Sequence, residues 1–315
     1  AAPRCGNTVP KNQMNSEFPM SKTADQHAQM HTGAGFIAAL DQSGGSTPKA
    51  LGLYGVDSND YDSEEAMFAE IQKMRERIIL ADDFTGKKVI GAILFERTMG
   101  ESIEGKKVPD YLWEDCNVVP FLKIDKGLED EANGVQLMKP MPSLDATLQA
   151  AAKAGIYGTK ERSVVNVANA DGIEQVVAQQ FEVARQVIAA GLVPIIEPEV
   201  NIHSESKAEA EDMLKAAILK HLDTLGDSDN VMLKLTIPNV AGLYDDLADH
   251  ARVVRVVALS GGYSTDLACE KLSQNTKMIA SFSRALTEGL QRAMSDAEFN
   301  TALGTNIDKI YHASI

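Results

Sequence analysis

Short apolar segments rich in Val, Ile and Leu alternate along this 315-residue chain with amphipathic stretches rich in Ala, Glu, Lys and Gln. The segments that predict strands are residues 35–41, 89–95, 118–125, 157–164, 193–200, 231–238, 253–260 and 278–286. Helices are predicted between them, among others over 63–78, 171–190, 205–224 and 264–273. Near-continuous apolar strands separated by helices indicate a parallel sheet that is covered by helices. Eight such units in about 250 residues predict an α/β fold, a single-domain (β/α)8 TIM barrel.

The alternative fold is a doubly wound open sheet, which usually has fewer strands and a glycine-rich turn after its first strand. The GxGxxG pattern of that turn is absent after the first predicted strand. The barrel is therefore the favoured fold.

The formal net charge of −15 argues against a nucleic-acid partner, because binding to phosphate backbones requires a basic face. An acidic chain can still bind a small anion where its cations converge on one cavity. The longest apolar runs, such as 253–259 with Arg255 inside it, are far shorter than the roughly 20 residues of a membrane span. We therefore expect neither a nucleic acid nor a membrane as partner.

The cysteines Cys5, Cys116 and Cys269 are widely spaced and form no CxxC motif. This spacing argues against a disulfide framework or a structural zinc site and favours a reducing compartment. The six histidines are interpreted as surface or structural residues, since single histidines are weak indicators of a metal site. We predict neither a metal site nor a cofactor.

Most of the predicted strands become polar at or near their carboxyl ends. The residues concerned are Asp41, Lys123, Asp125, Lys160, Arg162, Glu197, Glu199, Lys234, Ser260 and Arg284. A single charge at a strand end is usually an ordinary surface residue. Repetition in six strands predicts a shared site, because barrel active sites lie at the carboxyl ends of the strands. Residues at i and i+2 share a strand face, so Glu197 and Glu199 are expected to point the same way, as are Lys160 and Arg162.

Three lysines and two arginines in this set predict a locally positive cavity that suits a doubly phosphorylated substrate. Lys234 lies between Leu233 and Leu235, and desolvation favours its neutral amine. A neutral amine can attack a ketone and form an iminium. The stretch "LSGG" (259–262) follows the seventh strand and predicts a phosphate site, to which Arg284 adds a charge-assisted pair.

From about Gly33 to Tyr311 the chain resembles the class I fructose-1,6-bisphosphate aldolases, particularly the compact bacterial type. The resemblance rests on eight motifs in order: "ALDQSGGSTPKAL", "AILFERTM", "FLKIDKG", "GTKERS", "PIIEPEV", "LKLTIP", "LSGGYS" and "SFSRAL". It implies metal-independent, reversible cleavage of fructose 1,6-bisphosphate through a lysine Schiff base. It also implies a homo-oligomer.

The resemblance further implies a role for each matching residue. Lys234 corresponds to the Schiff-base lysine, Glu197 to the acid/base that dehydrates the carbinolamine, and Asp41 to the aspartate near the C4 hydroxyl. Lys160 corresponds to the lysine that positions the substrate, and Glu199 to a second carboxylate that tunes this set. The C1 phosphate corresponds to Ser260, Gly261, Ser283 and Arg284, and the C6-phosphate end to Lys123, Ser43, Ser46 and Arg162.

The chain departs from the better-known animal-type enzymes at three positions. Ala50 follows Lys49 where those enzymes carry an arginine, Ser283 replaces a glycine, and Tyr311 is the last tyrosine before the end at Ile315. The alternatives that these features leave open are a transaldolase, a deoxy-sugar phosphate aldolase, or a non-catalytic barrel that serves as an assembly module.

Residues 1–19 differ from the rest of the chain, since they are polar, contain three prolines and show no helical or strand period. We expect an N-terminal extension over 1–19, left by import processing or by a vector, and one aldolase domain over 20–315. The compartment is then the cytoplasm, or the plastid stroma or another organelle if residues 1–19 are an import remnant.

Overall fold

The computed structural model describes residues 22–43 and 45–315, and the strands and helices of the fold are given for these two ranges. The expected extension over residues 1–19 lies outside the described residues.

Eight parallel strands form the barrel within the described residues, and each pairs with its neighbours in chain order. A two-residue strand, Val135–Gln136, adds an antiparallel ninth member to this sheet, and Ser102–Ile103 pairs with Lys106–Lys107 in a separate hairpin. The barrel strands are β1 (Phe36–Leu40), β2 (Val89–Leu94), β3 (Val119–Lys123), β4 (Gly158–Val165), β5 (Val193–Val200), β6 (Val231–Thr236), β7 (Val253–Leu259) and β8 (Met278–Ala280). The Ala39 N–H of β1 donates to the Phe282 carbonyl just beyond β8, 3.4 Å away, and this contact nearly closes the sheet. The predicted (β/α)8 barrel is confirmed.

Helices alternate with the strands and cover the outside of the barrel. They are α1 (Lys22–Thr32), α2 (Thr47–Leu53), α3 (Glu64–Ile79), α4 (Glu96–Gly100), α5 (Val108–Glu114), α6 (Leu144–Lys153), α7 (Ala170–Ala189), α8 (Lys207–Leu222), α9 (Asp245–Ala248), α10 (Thr265–Ser273), α11 (Arg284–Thr287) and α12 (Asp296–Ala313). Several begin at a side-chain cap that satisfies a free backbone N–H. Ser63 accepts from Ala66 N at the start of α3, and Asn169 accepts from Gly172 N at the start of α7.

The last strand is shorter than predicted. Residues 278–286 were expected to be extended, but β8 ends at Ala280 and the short helix α11 begins at Arg284. The apolar pattern continues past the strand because Phe282, Ala285 and Leu286 pack into the core from the turn and the helix. Burial alone does not distinguish such a turn from a strand.

The strands are buried on both faces, and the two faces have different occupants. One cluster fills the barrel interior, with Ile37, Phe121, Ile195, Met232 and Ile279 among its members. A second, larger cluster fills the layer between strands and helices. Helix α1 closes the amino-terminal end of the barrel, where Met30 joins the interior cluster. The opposite end, at the carboxyl ends of the strands, remains open.

None of the described helices combines the length and the apolar character that crossing a membrane requires.

Candidate active site

A cavity of about 520 Å³ opens at the carboxyl ends of the strands. Every residue to which the resemblance gave a role lines it, whereas Asp125 of the strand-end set does not. The residues with such a role are Asp41, Ser43, Ser46, Lys123, Lys160, Arg162, Glu197, Glu199, Lys234, Ser260, Gly261, Ser283 and Arg284. The structure thus brings together residues from seven strand ends.

The two-residue period of the strands explains why these side chains point inward. On β6, Met232 belongs to the barrel interior, and Lys234 two residues later has the same orientation. The same step leads from Ile195 to Glu197 on β5. The apolar interior layer is therefore the floor of the cavity, and the charged residues form the next layer above it.

The strand register sets which side chains are neighbours. Lys123 pairs with Lys160 across β3 and β4, and Arg162 pairs with Glu197 across β4 and β5. Ile196 pairs with Leu233 across β5 and β6, so the residues that follow them, Glu197 and Lys234, lie side by side.

Four charged side chains, each at most 11% exposed, form a continuous network across the cavity floor. Lys160 Nζ lies 2.7 Å from Asp41 Oδ2 and 3.1 Å from Glu197 Oε2, and Lys234 Nζ lies 3.1 Å from Glu197 Oε1. The side chains of Lys160, Glu197 and Lys234 are only 4–5% exposed. Buried charges are tolerated when each has a partner of opposite sign, as here. Glu197 Oε2 has this ion-pair contact with Lys160 but no hydrogen-bond partner among the described residues.

The neighbouring charges fix the protonation states of Asp41 and Lys160. Burial by itself would raise the pKa of Asp41, but the charges of Lys160 and Lys234 outweigh burial and hold this pKa well below its usual range. Burial would lower the pKa of Lys160, but Asp41, Glu197 and Asp125 outweigh it and raise this pKa. At neutral pH Asp41 is therefore a carboxylate and Lys160 an ammonium.

Two further cations, on β3 and β4, each have a carboxylate partner of their own. Lys123 Nζ donates to Asp125 Oδ1 at 2.6 Å and to the Asp125 carbonyl at 2.8 Å. Asp125 also accepts from the backbone N–H of Arg162 at 3.3 Å. The Arg162 guanidinium donates through Nε to Glu199. Glu199 thus contacts Arg162 directly, on the side of the cavity where the C6 phosphate is expected.

The loop after β7 is shaped for close approach of a ligand to the backbone. Gly261 and Gly262 have φ angles of +59° and +125°, which L side chains rarely adopt. A Cβ on Gly261 would also come within 2.7 Å of Ile202. Arg284 lies across this loop, and no carboxylate among the described residues forms a salt bridge with it. This side of the cavity therefore offers an uncompensated cation beside a glycine turn, which suits an anion.

Among the polar residues that line the cavity, the sequence prediction missed Gln42, Lys49, Ser281 and Thr287. Ser281 is 2% exposed, and its buried hydroxyl has no hydrogen-bond partner among the described residues. The strand period could have revealed it, because Ser281 follows the interior residue Ile279 by two positions. Gln42 donates to Ser283 Oγ at 2.9 Å, a contact between β1 and β8 that no sequence pattern indicates.

Within residues 22–43 and 45–315, no group of three or more His, Cys, Asp or Glu side chains is placed to hold a metal ion. His27 and His31 stack one turn apart on α1, with ring centroids separated by 6.4 Å. They lie at the amino-terminal end of the barrel, opposite the cavity.

The fold and the site together define a class of protein: barrel enzymes that work through a buried lysine beside a carboxylate, with an anion site on the loops after β7 and β8. A family model described as class I fructose-bisphosphate aldolase matches residues 20–241. The chain belongs to this family.

One relative supports this assignment, and one solved structure supports the fold. The chain is 56% identical over 291 residues to the class 1 fructose-bisphosphate aldolase of Synechocystis sp., an alignment that covers 92% of this chain and 97% of the relative. A solved structure of the Plasmodium falciparum fructose-bisphosphate aldolase, in complex with TRAP and an inhibitor, superposes with a TM-score of 0.73. It covers 95% of this chain and 96% of that one at 19% identity, so it supports the fold alone. The predicted family, the lyase activity and the fold are confirmed.

Proposed function

We propose that this chain cleaves fructose 1,6-bisphosphate reversibly through a Schiff base on Lys234, with Glu197 and Asp41 as its proton carriers. The observation that carries the proposal is the chain of buried charges Asp41–Lys160–Glu197–Lys234 on the cavity floor. A barrel used only for assembly has no physical reason to bury four charges around an open cavity.

The two phosphates of the open-chain ketose bind at opposite sides of the cavity. The C1 phosphate binds at Ser260, Gly261, Ser283 and Arg284, and the C6 phosphate at Lys123, Ser43, Ser46 and Arg162. Uncompensated Arg284 and the glycine turn support the first assignment. Binding at both ends orients the C2 carbonyl toward Lys234, and such orientation contributes several kcal/mol in intramolecular reactions.

The imine forms at C2. Lys234 Nζ gives one proton to Glu197 and adds to the carbonyl carbon, and a second proton moves from Nζ to the carbonyl oxygen to give a carbinolamine. Glu197 then delivers a proton to the carbinolamine hydroxyl, the C2–O bond breaks, and water leaves behind an iminium. The 3.1 Å separation between Lys234 Nζ and Glu197 Oε1 supports this pairing, as does the free acceptor site on Glu197 Oε2.

Cleavage follows from the iminium. Asp41 accepts the proton of the C4 hydroxyl, the C3–C4 bond breaks, and its electrons flow into the iminium. The products are glyceraldehyde 3-phosphate and the enamine of dihydroxyacetone phosphate, which is protonated at C3 and hydrolysed. The depressed pKa of Asp41 supports this role, because the acceptor must be ionised before the reaction. Lys160, 2.7 Å from Asp41, stabilises that carboxylate and holds it in place, while Glu199 holds Arg162.

The experiment is borohydride trapping with dihydroxyacetone phosphate, followed by intact-mass and peptide mass spectrometry. A reduced adduct on Lys234 is expected in the wild type and no adduct in Lys234→Arg. Lys207→Arg is the matched control, since Lys207 is equally buried but bonded to Ile237 O and Asn239 outside the cavity. An adduct that maps to another lysine, or no adduct in the wild type, would refute the assignment.

We further infer that the protein is a homo-oligomer that acts on a phosphorylated sugar, and that it does not bind nucleic acid. We place it in the cytoplasm, or in the plastid stroma or another organelle if residues 1–19 are an import remnant. Family membership supports the sugar phosphate, and the oligomer is what the resemblance implies. The net charge of −15 supports the absence of nucleic-acid binding. The buried free thiols of Cys116 and Cys269 are compatible with a reducing compartment. Light scattering on the purified protein would contradict the oligomer if it gave the monomer mass.

A further inference from the structure

Arg75 on α3 is a buried cation that the proposed mechanism does not use. Its residue exposure is 1%, and no carboxylate among the described residues lies within salt-bridge distance of its guanidinium. Burying an unpaired charge is costly, and replacement by an apolar side chain is usually tolerated better. Arg75 therefore needs an explanation other than packing.

The guanidinium holds the peptide that follows Asp41. Its Nη2 atom donates to the Gln42 carbonyl at 2.5 Å and approaches the Gln42 side-chain oxygen at 3.3 Å. Its Nη1 atom donates to Thr98 Oγ1 at 3.0 Å, and the Thr98 hydroxyl donates in turn to Gln72. One end of the guanidinium is thus anchored to α3 and α4, and the other end holds the chain directly after β1.

The charge of Arg75 also acts on the site. Burial lowers the pKa of Arg75 to about 10, and the negative charge of Asp41 opposes part of this decrease. The guanidinium is therefore charged at neutral pH. The other cations that act on Asp41 are Lys160, Lys234 and Lys123, all from within the cavity. Arg75 does not line the cavity and interacts with Asp41 from α3, which packs in the layer outside the strands.

We propose that Arg75 is a positioning residue for Asp41: it fixes the peptide after Asp41 and holds a positive charge outside the cavity that acts on the Asp41 carboxylate. This inference rests on the proposed role of Asp41 in breaking the C3–C4 bond. Because Lys234 and Glu197 lie on other strands, Arg75 is required for carbon–carbon cleavage far more than for imine formation.

The test compares the two steps in Arg75→Met and Arg75→Lys. The measurements are kcat and KM for fructose 1,6-bisphosphate cleavage, and the rate of borohydride-trapped imine formation with dihydroxyacetone phosphate. Loss of hydrogen bonds from a charged donor predicts a fall in kcat of about 10- to 100-fold in Arg75→Met. Imine formation should stay within about threefold of the wild type, because the Lys234–Glu197 contact is untouched. Arg75→Lys keeps the positive charge and one hydrogen-bond donor, so its kcat should lie between those of the wild type and Arg75→Met.

Arg77→Met is the matched control on the same helix. Arg77 also donates to backbone carbonyls, of Arg292 and Met294, but it faces α12 and lies outside the cavity. Removing the Arg77 side chain should lower stability and leave the rates of cleavage and of imine formation unchanged. If Arg75→Met does not fold, Arg75→Lys tests the proposal instead. Slower cleavage with normal imine formation in Arg75→Lys supports the proposal. Cleavage at the wild-type rate overturns it.

Three results would overturn the inference. They are an unchanged kcat in the folded Arg75 variants, an equal loss of cleavage and imine formation, and an equal loss of cleavage in Arg77→Met. Asp41→Asn, measured in parallel, separates this inference from the proposed function. If Asp41→Asn cleaves normally, the assigned role of Asp41 is wrong; if it is inactive while the Arg75 variants are normal, only the inference about Arg75 is wrong.

Discussion

Lys160→Met tests how far the buried charges depend on one another. The substitution removes the cation that lies 2.7 Å from Asp41 and 3.1 Å from Glu197, and leaves two buried carboxylates with Lys234 as the remaining cation within 4 Å of either. Removing one partner of a buried pair destabilises a protein by about 3–5 kcal/mol. We expect a loss of unfolding free energy in that range at pH 7.5, together with loss of cleavage activity.

The effect should depend on pH with a definite sign. In the wild type the pKa of Asp41 lies below its unfolded value near 3.8, so ionised Asp41 contributes stability above that pH and loses it as the pH falls. Lys160 has a folded-state pKa above 10.5, so its contribution is complete at pH 7.5. Without Lys160, Lys234 and Lys123 still oppose the effect of burial, but the pKa of Asp41 rises relative to the wild type, and protonation relieves the penalty in acid. The loss of stability should therefore be smaller at pH 5 than at pH 7.5.

Urea unfolding at both pH values, followed by Trp113 fluorescence and far-UV circular dichroism, measures the free energies. Trp113 is the single tryptophan and packs against the barrel interior. Lys88→Met is the control, because the Lys88–Asp308 pair is 31% and 50% exposed and should contribute at most about 1 kcal/mol. A loss in Lys160→Met equal to that of the control, or one independent of pH, would refute the reasoning.

Two further changes test the opposite sides of the site. Arg284→Ala removes the uncompensated cation beside the glycine turn, so KM for fructose 1,6-bisphosphate should rise by about 10- to 100-fold. Steady-state kinetics measures this KM, with Arg292→Ala at an exposed arginine as the control. An unchanged KM in Arg284→Ala would contradict the prediction. Glu197→Gln keeps the shape but cannot carry a proton, so trapping of the dihydroxyacetone phosphate imine should slow by about 10²- to 10⁴-fold. Trapping at the wild-type rate would exclude the acid/base role.

The fold and the strand-borne residues of the cavity could be predicted from sequence because both follow from strand period, whereas Ser43, Ser46 and Ser283 were predicted only through the family resemblance. Met232 and Lys234, or Ile195 and Glu197, are two residues apart, so the apolar residue and the charged residue must share a face. The parallel sheet then brings the carboxyl ends together. The same reasoning failed for β8, where Phe282 and Leu286 are buried from a turn and a helix.

Arg75 shows the limit of this approach. A signal exists in the sequence, since Arg75 lies on the face of α3 that also carries Ile71, Met74 and Ile78. Such an arginine on an apolar helix face indicates an interior partner, but the partner is Gln42, more than 30 residues away. Long-range pairing of this kind depends on how helix and strand pack together, which no local pattern encodes.

On the proposed assignment, the cations of the two phosphate sites differ in what a phosphate must displace. Arg284 has no salt-bridge partner among the described residues, so a C1 phosphate binds it directly. Lys123 and Arg162 already bond to Asp125 and Glu199, so a C6 phosphate must compete with carboxylates for them. After cleavage the C1 fragment is also held covalently by Lys234. The C6 fragment keeps only its phosphate contacts, for which Asp125 and Glu199 compete. The geometry thus favours departure of glyceraldehyde 3-phosphate first, while the enamine remains on the enzyme.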